Sequence, residues 1–182
     1  FCTTPWLTER HGYDPTWILD VCTGSGCILL SLLKMNENRT GTGSDLSEPA
    51  LKMAEENRRL LEIPEERAAF VQSDLFDRIE GTYDMIVSNP PYIPRADIET
   101  LDTSVKDYEP HLALDGGEDG LDFYRSISEK WKAALAPGGR LYFEVGIGQA
   151  DSVLRIMRAQ GFGDIQVVKD HHDIPRVVFG TL

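Results

Sequence analysis

The sequence predicts an α/β domain built on a mostly parallel sheet of seven strands with helices on both faces, and three observations predict it. Apolar runs of four to eight residues bounded by Gly, Asp or Pro alternate with longer stretches of helical period. A glycine-bearing turn, Thr23-Gly24-Ser25-Gly26, follows the first apolar run and opens the first helical stretch. The last two apolar runs are separated only by residues 169–175, too few for the crossover that parallel neighbours need, so they form an antiparallel hairpin at one edge. At 182 residues, 41% apolar and 26% charged, the chain has the composition of one soluble domain, placed at residues 17–182. Residues 1–16 read as a lead-in.

Each element has its own signal. The first strand is expected at 17–22 and the first helix at 26–35, where Ile28, Leu29, Leu30, Leu32 and Leu33 supply a wide apolar stripe. The second strand, 40–45, leads to a helix at 48–61 that starts at Ser47-Glu48-Pro49 and repeats Leu51, Ala54, Arg58 and Leu61 on one face. Strands follow at 68–72 and 83–88, then a helix at 121–136, a strand at 140–145 after Pro137-Gly138-Gly139, a helix at 149–160, and the hairpin strands 164–168 and 176–180. No internal repeat or low-complexity tract interrupts them.

Composition disfavours several classes of function. Lys and Arg number 18 against 30 Asp and Glu, a formal net charge of −12, which leaves little general attraction for a nucleic acid backbone. The longest greasy run, residues 28–33, is far shorter than the roughly 20 apolar residues of a membrane helix, and no leader pattern opens the chain. Cys2, Cys22 and Cys27 are odd in number and lack paired spacing, so neither a disulfide framework nor a metal site is expected, and a reducing cytoplasm fits. His171-His172-Asp173 carries ligand-type side chains, but neighbours on a strand-end turn point apart and no fourth ligand is spaced to help. Trp6, Trp17 and Trp131 read as core or edge packing.

The chemistry is expected at the ends of the early strands. Asp20, Thr23, Gly24 and Gly26 lie where glycines let the backbone approach a ligand. Asp45 ends the second strand, where an acidic side chain accepts the two ribose hydroxyls of a nucleoside. Asp74 and Leu75 end the third, where a carboxylate accepts adenine amino protons and an apolar side chain covers a ring face; a helix-capping Asp74 is the alternative. A dinucleotide fingerprint needs a third small residue three places after Gly26, where Leu29 stands. A sulfonium cofactor has no pyrophosphate but carries a cationic amino group, which Asp20 suits.

Asn89-Pro90-Pro91-Tyr92 directly follows the fourth strand. A planar amide or exocyclic amine is a poor nucleophile, and attack on a methyl sulfonium makes its nitrogen tetrahedral and positive. The Asn89 side-chain oxygen and the Pro90 carbonyl can each accept one N–H of the target, orienting its lone pair and offsetting the charge. The prolines stiffen the loop, and the Tyr92 ring can lie on the planar target. From Ile93 to Gly120 the chain then carries no sustained period, and between Asp97 and Asp122 it holds nine acids against Lys106. This stretch is either a solvated surface loop or a mouth for a basic partner.

These motifs together resemble the class I methyltransferases with a Rossmann-like fold, and within them the HemK/PrmC type that methylates the glutamine amide of the GGQ motif in peptide chain release factors. The resemblance runs from Trp17 to Leu182 and includes the block from Asp107-Tyr108-Glu109-Pro110-His111 through Gly120-Leu121-Asp122-Phe123-Tyr124. It implies S-adenosyl-L-methionine as cofactor, S-adenosyl-L-homocysteine as product, a release factor as partner, and a cytoplasmic monomer. The candidate cofactor residues are Asp20, Thr23, Gly24, Gly26, Asp45, Leu46, Asp74, Leu75 and Asn89. Asn89, Pro90 and Tyr92 are the catalytic candidates; substrate binding is assigned to these with Pro91, Glu109, Pro110 and His111. Cys22 stands where the family more often has Gly, so a turn that wants positive φ there would be strained. The N-terminal helical domain usual in bacterial members is not seen in residues 1–15, so the chain is either a catalytic-domain fragment or a shorter kind. Two other readings remain: a methyltransferase of DNA or RNA amines sharing the same tetrapeptide, and a cofactor-binding module inactive without a docking domain.

Overall fold

The computed structural model describes Asp14 and residues 16–100 and 111–182. Seven strands form one sheet in the order β3-β2-β1-β4-β5-β7-β6, with β1 at Trp17–Val21, β2 at Thr40–Asp45, β3 at Ala68–Gln72, β4 at Tyr83–Ser88, β5 at Leu135–Glu144, β6 at Gly163–Lys169 and β7 at Pro175–Thr181. The longer helices are α1 (Cys27–Met35), α2 (Glu48–Leu60), α3 (Asp122–Lys130) and α4 (Ala150–Ala159). Strands β3, β2, β1 and β4 run parallel, with Val21 opposite both Ser44 and Ser88, and Asp45 opposite Gln72. Their carboxyl ends therefore share one edge, and the order reverses between β1 and β4, the topological switch point at which open α/β sheets bind ligands. Backbone bonds from Val145 N to Arg176 O and from Leu182 N to Gly139 O run in opposite numerical sense, which makes β7 antiparallel to β5. Five residues join β6 to β7, so this pair is the expected hairpin.

The described chain falls into two compact units. One comprises the residues up to Ser88 with Lys132–Tyr142 and Thr181–Leu182; the other comprises Asn89–Trp131 and Phe143–Gly180. In the first, Ile18, Leu19, Leu29, Leu32, Met85 and Ile86 are completely buried, each stabilising the fold by roughly 1.5–3 kcal/mol relative to exposure. Ser47 caps α2 by accepting from Ala50 N, and Ala54 and Arg58 face inward, Arg58 held by Glu55. In the second unit, Tyr124 and Phe143 meet edge to face at 5.2 Å, and Trp131 packs on Phe162 at 4.7 Å. Trp131 is thus core, whereas Trp17 opens β1 half exposed and Trp6 lies outside the described residues.

Three expectations are corrected. The helix expected at 121–136 ends at Lys130, passes through one 3-10 turn, Trp131–Ala133, and gives way to β5 at Leu135, five residues before the expected strand start. Pro137 disfavours helix at the residue before it, and Tyr83 N donates to Ala134 O, so sheet bonding captures this segment. Strand β1 stops at Val21, because Cys22 turns with φ of +60°. The rings of His171 and His172 do not point apart: their centroids lie 4.0 Å from each other on the turn that Asp170 organises through His172 N and Ile174 N. Among the described residues no group of three His, Cys, Asp or Glu is placed to hold a metal ion, and no helix is long and apolar enough to cross a membrane.

Candidate functional site

The glycine loop is built from the end of β1 and pinned to β2. Thr23 N donates to Ser44 O and Gly26 N to Thr23 O, both at 2.9 Å. Cys22, Gly24 and Gly26 all have positive φ, at 60°, 55° and 77°. The two glycines adopt this without strain; Cys22 is the residue for which the left-handed conformation costs about 1–2 kcal/mol. Burial and the nearby Asp45 and Asp20 carboxylates push its thiol up to about 12, so it stays protonated. Two positions not singled out from the sequence make this packing possible. A Cβ at Gly43 would stand 2.9 Å from Thr23 Oγ1, and Asn57 on α2 donates from Nδ2 to Ser25 O at 2.9 Å.

Asp20 lies on β1, one residue before its end. It is 1% exposed, and its Oδ2 accepts from Thr23 Oγ1 at 2.7 Å and from Leu29 N at 3.2 Å. Its Oδ1 is buried with no hydrogen-bond partner. Burial pushes its carboxyl up to about 7, opposed by the two donated bonds. A buried acceptor without a donor is costly, and a cationic amino group would satisfy it. A pyrophosphate would not, since the carboxylate already takes the Leu29 amide near the start of α1, where a phosphate would otherwise bind. The residues present therefore fit a cationic cofactor end and not a dinucleotide.

Asp45 ends β2 half-buried. Its Oδ2 accepts from Gly24 N and its Oδ1 from Ser47 N, both at 2.8 Å, while its backbone O takes Ser73 N. This one residue joins the glycine loop, the entry to α2 and the end of β3, and each carboxylate oxygen keeps lone-pair capacity for a ribose hydroxyl. Leu46 beside it is exposed, with its carbonyl held by Gln72 Nε2. Asp74 is exposed and Leu75 buried with φ of +48°. No helix follows Asp74, which corrects the capping alternative: the segment is a turn, closed by Asp77 N to Asp74 O, and Ser73 Oγ instead receives Arg78 N.

The second unit carries the Asn89 loop. Asn89 is exposed, Pro90 buried, and Pro91 and Tyr92 half-buried. Ile93 N donates to Leu114 O and Gly116 N to Ile93 O, so a bridge between Ile93 and Asp115 ties this loop to the aperiodic stretch after it. Arg95 N reaches Gly117 O, and Arg95 Nε pairs with Asp115 Oδ2 at 2.9 Å. The Gly117 amide and the Arg95 guanidinium hold Asp115 below the usual carboxylate range. Arg125 pairs with both Asp119 and Asp122. Among the described residues, Asp115, Asp119 and Asp122 are thus ion-paired with Arg95 and Arg125, two arginines that lie just outside that stretch. His111 begins a short helical turn, His111–Leu114, and is exposed, whereas Glu109 and Pro110 lie outside the described residues. Gln149, which the sequence reading did not single out, bonds to Tyr92 O through Nε2; its signal is a polar side chain closing Gly146-Ile147-Gly148 between a strand and a helix.

Comparison with known proteins follows the same lines. The chain is 43% identical over 166 residues to the release factor glutamine methyltransferase of Geobacter sulfurreducens, covering 91% of this chain and 57% of that protein. It is 43% identical over 167 residues to the enzyme of the same description from Clostridium acetobutylicum, covering 90% and 58%. The chain thus spans a little over half the length of these curated relatives. Among solved structures, a ribosomal protein L11 methylase from Lactobacillus delbrueckii subsp. bulgaricus aligns with a TM-score of 0.68 at 17% identity, covering 95% of this chain and 73% of that one. Magnesium protoporphyrin IX methyltransferase from Synechocystis, solved with bound S-adenosylmethionine, aligns at 0.60 and 14% identity, covering 98% and 75%. These likenesses establish the fold of class I S-adenosylmethionine-dependent methyltransferases. The model of the methyltransferase small domain matches residues 8–118, well over half of the sequence, and the chain belongs to that family.

Proposed function

We propose that this chain is the catalytic part of a methyltransferase that transfers a methyl group from S-adenosyl-L-methionine to the side-chain amide nitrogen of the glutamine in a release factor GGQ motif. It acts as a cytoplasmic monomer. The structural observation that carries the cofactor reading is the buried, partnerless Oδ1 of Asp20. The substrate reading is supported by 43% identity to two release factor glutamine methyltransferases over nine-tenths of the chain.

In this reading Asp20 and the Thr23–Gly26 turn hold the amino acid end of the cofactor, Asp45 and Leu46 the ribose, and Asp74 and Leu75 the adenine. When bound, the cofactor supplies an electrophilic methyl group on a cationic sulfur. Asn89 Oδ1 and the Pro90 carbonyl accept the two N–H groups of the target amide. That pairing orients its lone pair toward the methyl group and stabilises positive charge as it develops on nitrogen, which then releases one N–H proton to solvent. Tyr92 lies against the planar amide, and Pro91, Glu109, Pro110 and His111 contact the surrounding peptide. A nucleic acid substrate is disfavoured by the net charge of −12.

Mass spectrometry of a folded release factor incubated with the chain and the methyl donor tests the proposal. A gain of one methyl group on the GGQ glutamine is expected, and Asn89→Ala should lower turnover about 100-fold or more with little change in cofactor affinity. An unmodified glutamine, or parental turnover in Asn89→Ala, would overturn it.

A further inference from the structure

Within the unit that carries Asn89 to Tyr92, the side-chain amide of Gln149 meets three backbone segments far apart in sequence. Its Nε2 donates to Tyr92 O at 2.8 Å and to Gly120 O at 3.3 Å, and its Oε1 accepts from Gly146 N at 3.1 Å. Both amide hydrogens and one acceptor position are thereby spent on main chain. Gln149 is itself anchored, because its carbonyl takes Ser152 N and Val153 N at the start of α4, whose Ala150, Val153 and Met157 are buried.

Glycines complete the enclosure of Tyr92. A Cβ at Gly116 would stand 2.8 Å from the Tyr92 Cα and carbonyl carbon. One at Gly146 would stand 2.9 Å from Cδ2 of the ring, and one at Gly120 would collide with Tyr92 O. Backbone from two loops, 115–121 and 145–149, therefore closes around one residue, and a single planar amide joins that residue's carbonyl to both.

We infer that Gln149 is a positioning residue of the methyl-transfer reaction: it fixes the main chain at Tyr92, and through it the orientation in which Asn89 Oδ1 and the Pro90 carbonyl meet the target amide. This rests on the acceptor role proposed for Asn89. The role demands two donors and an acceptor in one plane, which Gln supplies and an ionised Glu does not. Misplacing acceptors by about 1 Å is enough to cost on the order of 100-fold in rate.

The test compares the parent chain with Gln149→Ala and Gln149→Glu at saturating cofactor, measuring kcat and KM for a folded release factor, cofactor Kd by calorimetry, and amide hydrogen exchange over residues 89–93. Gln149→Ala should lose about 10- to 100-fold in kcat with cofactor Kd unchanged, and exchange over 89–93 should quicken while β2 stays as it was. Gln149→Glu sets a carboxylate against two carbonyls at neutral pH, but its protonated form donates one bond. Its activity relative to the parent should therefore climb between about pH 8 and about pH 5.5. A residue that only stabilises the fold would lower the melting temperature and leave kcat per folded molecule and the relative pH profile flat. The inference is overturned by a kcat within about twofold of the parent in Gln149→Ala. Should that variant not fold, a flat relative profile in Gln149→Glu overturns it. A parent without activity removes the methyl-transfer reading instead, and unchanged exchange in the variants would then still refute the positioning role.

Discussion

Replacing Asp20 by Asn should stabilise the chain and weaken cofactor binding, two effects of opposite sign from one buried group. In the folded chain the Asp20 carboxyl is pushed up to about 7 from an ordinary 3.8, chiefly by burial. The folded state then binds the proton more tightly than the unfolded state does. The contribution of this group to stability is complete below about pH 4 and is lost as pH rises through about 7. At about 1.4 kcal/mol per tenfold in proton affinity, the loss above pH 7 is roughly 4 kcal/mol. Asn cannot ionise, and its carbonyl can still accept from Thr23 Oγ1 and Leu29 N. Its amide hydrogens, turned toward the place of the partnerless oxygen, cost roughly 1–3 kcal/mol. The variant should therefore gain about 1–3 kcal/mol at pH 8, roughly 2–4 °C in Tm per kcal/mol for a chain of this size, and the gain should turn into a loss of about 1–3 kcal/mol near pH 4, where the parent keeps its proton. Binding should move the other way, since the charge-assisted bond to the cofactor amino group is worth roughly 1.5–3 kcal/mol, about 10- to 100-fold in Kd. The parent should also bind less tightly below pH 7 and release a proton on binding. Melts at pH 5 and pH 8 and calorimetry in buffers of different ionisation enthalpy read all of this. A variant that melts below the parent at pH 8, or that binds S-adenosylmethionine with parental Kd, refutes the reasoning.

Further outcomes follow from the geometry. Asp45→Ala should weaken cofactor binding at least 100-fold by calorimetry, from two lost bonds of roughly 1.5–3 kcal/mol each, and should also lower Tm, because Asp45 holds Gly24 N and Ser47 N. Cys22→Gly relieves a φ of +60° and should raise Tm slightly, by the equivalent of about 0.5–1 kcal/mol once the greater backbone entropy of glycine is subtracted. Release factor surfaces that meet ribosomal RNA are expected to be basic, so raising salt to physiological strength should slow association with this chain. Arg125→Gln, which frees Asp119 and Asp122, should steepen that dependence in stopped-flow measurements; a flat salt profile would leave the stretch as solvated surface.

The strands from Thr40 to Ser88, the helix after Ser47 and the edge hairpin were legible by themselves because their signals are local. Period, cap residue and loop length act over a few positions and need no knowledge of the partner strand. The positions of Asp20, Asp45 and Asn89 at the ends of three parallel strands were legible in the same way, since each is placed by the boundary of its own strand. Where a distant group competes, the sequence was silent. The helical period running to Ala136 yields to β5 because Ala134 O finds the Tyr83 amide, a partner some fifty residues away. Nothing in the order of residues shows that Asp20 keeps one oxygen without a donor, that Arg95 and Arg125 fold back to neutralise acids in the aperiodic stretch, or that Gln149 reaches the carbonyl of Tyr92. Those are properties of pairs, decided by which main-chain and side-chain groups the closed fold brings within hydrogen-bond distance. The sequence alone determined the class of fold and the residue types at the carboxyl ends of its parallel strands; only the tertiary structure decided which of their polar atoms are spent on the protein and which are left without a partner, because burial removes water as the alternative partner.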